Sequence, residues 1–157
     1  MKTASAAVRG FSLLELILVI LIASLALALT YPSLSRGTSA FHLRATGRDI
    51  MNTLRYAREK AITEQTGMLV IADREQQQVS LSNAVGGEAR SYALPDDIRI
   101  TRLFLAGQEV SDGSLTIRFL PNGSSEIAEI RLESDKGGML TVAADPLTGG
   151  ARVILNR

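Results

Sequence analysis

The 157-residue sequence contains no cysteine and only one histidine, His42. No thiol means no disulfide and no thiolate metal centre, and one imidazole helped by carboxylates is a poor basis for a zinc site. The lack of cysteine does not itself fix the compartment. Aromatic residues make up 4% of the chain, and 17 Lys and Arg stand against 16 Asp and Glu. The molecule as a whole therefore offers neither the electrostatic footprint nor the stacking platform that nucleic acid calls for. A Ser–His triad would have to be built on His42 alone, and no Gly-rich stretch carries the lysine of a phosphate loop. No cofactor and no metal is expected.

What the sequence does have is a long apolar run near its start. From Phe11 to Tyr31 the polar residues are only Ser12, Glu15, Ser24 and Thr30. As a helix this run would span about 30 Å, the thickness of a bilayer core. Lys2 and Arg9 precede it with no acidic residue between them, which places the N-terminus in the cytoplasm and the rest of the chain across the membrane. Three readings compete. A secretory signal peptide would use Ala26-Leu27-Ala28 as its cleavage site, but the run is longer than such a segment needs. A plain anchor gains nothing from Glu15, since a carboxylate at a membrane centre costs roughly 2.5–3.5 kcal/mol. The third reading gives the carboxylate a partner.

"GFSLLELILVI", residues 10–20, resembles the class III signal of type IV pilins and type II secretion pseudopilins. The resemblance implies cleavage by prepilin peptidase between Gly10 and Phe11, N-methylation of Phe11, and a place for Glu15 as fifth residue of the mature chain. The new ammonium on Phe11 would lie one helical turn before Glu15, and a helix N-terminus favours a nearby anion. In a filament of such helices Glu15 would meet the Phe11 ammonium of a neighbouring subunit and set the register of assembly, the best-attested use of a buried ion pair.

Pro32 is expected to break the helix, and "PSLSRGTS" (32–39) reads as a flexible joint. A second helix is expected over 40–65, with Leu43, Ile50, Leu54, Ala57 and Ala61 facing a core and Arg44, Arg48, Arg55 and Lys60 facing out. Gly67 is its expected stop. From residue 68 the period changes to two. "MLVIAD", "QVSLSN", "RSYALP", "IRITRL", "LTIRFL", "EIAEIRL", "MLTVAA" and "ARVIL" read as strands separated by turn formers. Ile127, Ile130 and Leu132, with Leu140 and Val142, are expected on one buried face, and Glu129, Arg131 and Glu133 on the solvent side.

"LRYAREKAITEQTGMLVI" (54–71), "IRFLPNGSS" (117–125) and "LTVAADPLTGGARVIL" (140–155) resemble the GspH/FimT-like pilin domain. Phe119, Pro121 and Gly123 match its aromatic-x-Pro-x-Gly turn, and Thr148 and Gly149 its last turn. Gly150 departs from the arginine that members often carry there. The resemblance implies an α+β, type IV pilin-like fold, with a long N-terminal helix (membrane half, then amphipathic half) packed on a C-terminal antiparallel β-sheet or sandwich. The expected divisions are a leader over 1–10, a filament-core helix over 11–31, the joint over 32–39 and a periplasmic domain over 40–157 with its β part at 68–157.

It also implies a function: a minor pseudopilin of the H class, at or near the tip of a type II secretion pseudopilus that exports folded proteins across the outer membrane. Implied partners are other minor and major pseudopilins, prepilin peptidase, the inner-membrane assembly platform and secreted substrates. The implied location is the inner membrane, then the periplasmic pseudopilus. The alternative is a FimT-like minor type IV pilin that binds DNA in transformation or primes pilus assembly, although only Arg152 and Arg157 lie at the C-terminus to support it. Asp96-Asp97 reads as a turn rather than an acid–base pair, and no enzyme activity is expected.

Overall fold

The computed structural model describes residues 11–86, 90–145 and 150–156, apart from the side chains of 28–37, 155 and 156. The chain divides into two units, residues 1–36 and 37–157. Its one helix among the described residues, α1, spans Leu13–Thr63. The backbone at Pro32 and over 33–39 is helical, where the sequence reading expects a break and a joint. Proline removes one donor and crowds the preceding turn, but the Ala- and Leu-rich turns before it are strong helix formers that carry the helix past.

In the second unit α1 presents Leu43, Ile50, Leu54, Ala57 and Ala61 to the core, each no more than 3% exposed, while Arg44, Arg48 and Arg55 lie outside. At Gly47 an added Cβ would stand 2.7 Å from Leu140 Cδ2, so this glycine allows the helix backbone to approach the sheet closely. The helix stops at Thr63, earlier than the reading of 40–65. The left-handed residue after it is Gln65, at φ 50°, rather than Gly67. Thr66 N–H bonds the Ala61 carbonyl and the Gln65 side chain bonds that of Ile62, which satisfies carbonyls the helix leaves open.

Two antiparallel sheets follow. The first has order β3-β2-β1-β6, from β1 (Met68–Asp73), β2 (Gln78–Asn83), β3 (Arg90–Ala93) and β6 (Ser114–Phe119). The second has order β5-β4-β7-β8-β9, from β4 (Ile98–Leu105), β5 (Gln108–Glu109), β7 (Ala128–Ser134), β8 (Met139–Ala144) and β9 (Ala151–Asn156). Strict alternation on β6 buries Leu115, Ile117 and Phe119 and exposes Ser114, Thr116 and Arg118. The inner faces of both sheets and the core face of α1 form one hydrophobic cluster. Ile127 does not belong to it and is 49% exposed. Ala128 takes the inward place instead, because it and not Ile127 is in phase with Ile130 and Leu132 on a period of two.

Candidate functional site

The first unit is notable for what its side chains leave uncovered. Every described residue from Phe11 to Leu27 is exposed, including Phe11 at 74% and ten Leu, Ile and Val residues between 13 and 25 at 50% or more. A contiguous apolar surface of this kind marks an interface with another protein or with lipid. Ser12 precedes the first helical residue, and its carbonyl accepts the Leu16 N–H at 3.2 Å, which places it at the N-cap. Glu15 is the acidic residue of the first turn, where unpaired N–H groups and the helix dipole favour a carboxylate. Ser12 and Glu15 also have the spacing of a capping box. Glu15 thus has an electrostatic reason within its own helix to sit at this end. Gly10, the other side of the expected cleavage point, lies outside the described residues.

Among the described residues no helix is long and apolar enough to cross a membrane. The described side chains of the apolar run reach only from Leu13 to Leu27 within the helix. At 1.5 Å per residue that is about 22 Å, against a hydrocarbon core of roughly 30 Å.

In the second unit the Phe119–Pro121–Gly123 segment forms a tight closure. Leu120 carbonyl accepts the Gly123 N–H at 2.8 Å with Pro121 in second place, as such turns favour. Asn122 Oδ1 accepts from the Ser124 N–H and hydroxyl, and Leu120 N–H returns to the Ser124 carbonyl. Phe119 is fully buried, and Gly123 has φ 82°. Arg58 Nε donates to the Gly123 carbonyl at 3.1 Å, and an added Cβ on Gly123 would stand 2.8 Å from Ile62 Cδ1. The turn is thereby fastened to the last turns of α1. Its role in this unit is to hold β6 against the helix. Thr148 and Gly149, the second turn motif, lie outside the described residues, as does Arg157.

One pairing was not legible beforehand. His42 has its Nδ1 3.0 Å from Asp97 Oδ2, joining α1 to the Pro95–Ile98 turn. The two are 55 residues apart, and no local pattern signals the contact. Near this turn Tyr92 lies partly buried, with its hydroxyl 3.4 Å from Thr53 Oγ1. Burial pushes the Tyr92 phenol above its ordinary pKa, the Asp49 charge adds to the rise, and the Thr53 hydrogen bond partly offsets it. Among the described residues no group of three or more His, Asp or Glu is gathered as metal ligands would be. The acidic residues of β7 alternate on the outer side, with Glu129 Oε2 3.8 Å from Arg131 Nη2.

An N-terminal helix packed on two antiparallel sheets is a pilin-like architecture, and solved structures agree. The minor pseudopilin EpsH of the Vibrio cholerae type 2 secretion system superposes with TM-score 0.57 at 14% identity, over 74% of this chain and 95% of that one. The type IV minor pilin FimU of Pseudomonas aeruginosa gives 0.54 at 13%, over 76% and 92%. At such identities the likeness concerns the fold. Sequence goes further: the model of the Type II transport protein GspH family matches residues 46–156, and the chain belongs to that family. Type II secretion system protein H of Xanthomonas campestris pv. campestris is 32% identical over 124 residues, which are 79% of this chain and 70% of that protein.

Proposed function

We propose that this protein is a minor pseudopilin, a structural and non-catalytic subunit at or near the tip of a type II secretion pseudopilus that supports export of folded proteins across the outer membrane. The match of the GspH family over residues 46–156 carries this reading. The exposed apolar helix headed by Glu15 supplies the physical means. Before assembly the segment from Phe11 lies in the inner membrane, with the N-terminus cytoplasmic and the β domain periplasmic. Prepilin peptidase removes residues 1–10 and methylates Phe11. The inner-membrane platform then passes the helix from lipid into a bundle of pseudopilin helices, where Glu15 meets the amine of a neighbour and fixes register. Packing among apolar side chains drives the rest, because the helix exchanges lipid contacts for helix contacts at little cost.

The test is the intact mass of the membrane-extracted full chain, produced with and without a functional prepilin peptidase. The reading expects a mass reduced by residues 1–10 and raised by one methyl group, only when the peptidase is present. A product starting at Leu29 whatever the peptidase would mean an ordinary exported protein and would end the filament reading.

A further inference from the structure

The outer face of the five-stranded sheet holds an arrangement that stability alone does not explain. Along β4 the residues Ile98-Arg99-Ile100-Thr101-Arg102-Leu103 depart from strict alternation at Thr101-Arg102. The pairing with β7 shifts there: Ile100 opposes Leu132, yet Arg102 opposes Arg131. Thr101 is the extra residue of a bulge, and bulges re-aim the side chains that follow. Without it Thr101 would face Arg131, and Arg102 would turn to the core. The bulge therefore sets two arginines directly opposite on adjacent strands, a like-charge pairing that destabilises a sheet.

Among the described residues their charges are only loosely met. Arg102 Nε is 3.9 Å from Glu109 Oε1 and Arg131 Nη2 is 3.8 Å from Glu129 Oε2, both beyond hydrogen-bond length. Arg131 Nε is buried and, among the described residues, has no acceptor. The Arg131 guanidinium is held over the Phe104 ring, 4.3 Å from its centre, which limits its rotation. A groove of about 360 Å³ runs beside the pair, lined by Thr101, Arg102, Arg131 and Met139 among others. Its lining also includes Glu133, which stands opposite Met139 on the neighbouring strand. Met139 and Ile154 are 49% and 40% exposed, and the cross-strand row Arg131–Thr141–Ile154 places Met139 diagonally from Arg131. Diagonal neighbours on a sheet lie roughly 7–8 Å apart.

We propose that this face binds an extended acidic segment of a partner protein. A carboxylate sits between Arg102 and Arg131, and an aliphatic side chain two residues along rests on Met139. Same-side residues of an extended chain repeat at about 6.8 Å, which matches the diagonal. An arginine pair is suited to a carboxylate, which it can grip through several N–H groups at once. Glu109, Glu129 and Glu133 share the face, Glu133 within the groove lining itself, and would repel a continuous polyanion. The site lies on the β domain and does not rest on the filament reading, so either can fail alone.

The test uses the full chain in detergent micelles, following arginine Nε–H and methionine methyl NMR signals. The probe is a blocked pentapeptide, Ser-Glu-Ser-Leu-Ser, with its glutamine counterpart as control. The acidic peptide is expected to shift the signals of Arg102, Arg131 and Met139, and the glutamine peptide to need at least about tenfold more, since charge-assisted bonds are roughly twice as strong as neutral ones. Arg102→Glu is expected to abolish the shifts and Arg131→Lys to weaken binding. Should Arg131→Lys fail to fold, Arg102→Glu carries the test alone, because that side chain is 58% exposed. Equal binding of the two peptides, or unchanged binding in Arg102→Glu, would overturn the proposal. So would an oligothymidylate that saturates the same signals at lower concentration than the peptide, which would assign the face to nucleic acid.

Discussion

The same residue types behave in opposite ways in the two units. Leu16, Ile17, Leu18 and Val19 are at least half exposed, whereas Leu43, Ile50 and Leu54, in the same helix, are 3% exposed or less. The second unit closes its own core from one helix face and two sheets. In the first, the apolar surface is left for something outside the chain. A domain that folds on internal contacts and a helix that is completed by lipid or by other helices should respond differently to the same kind of damage, and that contrast can be attacked from either side.

The largest expected effect lies in the second unit. Phe119→Ala removes a fully buried ring and should cost about 3–5 kcal/mol of domain stability, read from denaturant midpoints of the full chain. Leu18, in the first unit, offers the mirror experiment. Leu18→Arg should leave the domain's melting unchanged while lowering membrane insertion by roughly 2.5–3.5 kcal/mol, measured by fractionation. A shifted melting temperature would show that the two units are not energetically separate.

Gly123→Ala is smaller and tests the turn. The left-handed backbone alone costs roughly 1–2 kcal/mol for a residue with Cβ, and Ile62 stands in the way of the new methyl. Adding Ile62→Ala should recover the steric part and leave the backbone part, so a double mutant as unstable as the sum of both singles would remove the close-approach argument.

The smallest effect concerns Tyr92. Its pKa is raised in the folded state, so the folded protein holds the phenolic proton more tightly than the unfolded chain. That contribution is fully present below the unfolded value of 10.0 and is lost as pH rises through the folded one. Tyr92→Phe should therefore flatten the fall in stability above pH 10.0, measured by urea unfolding across that range.

Much of this was legible in the sequence, for physical reasons. Strands β1 and β2 begin and end where alternation predicts, because one face of each must be dry, and β8 keeps its expected bounds although five of its six residues are buried. The core positions of α1 follow the 3.6-residue period. The two-residue β5 carries no pattern that could have announced it. Ile127 misleads because hydrophobicity does not reveal phase, and one residue reverses the face. The choice of Gln65 over Gly67 as the left-handed cap reflects tertiary geometry winning over propensity. Strand order, the pairing of β1 with β6 and the His42–Asp97 contact are non-local, so no short window contains them. The bulge at Thr101 left a trace, the double polar step in an alternating strand, which a closer reading of the pattern would have found, as it would the odd spacing of Ile127 from Ile130.

The central claim is that Glu15 acts between subunits rather than within one. Its direct test is the amount of Glu15→Gln chain recovered in sheared pseudopilus filaments, beside wild type, with domain melting and membrane insertion recorded for both. The account predicts unchanged melting, unchanged insertion and incorporation reduced by roughly tenfold or more, as when one partner of a buried ion pair is removed. Incorporation at the wild-type level would contradict it and leave Glu15 with no role beyond the first turn of its own helix.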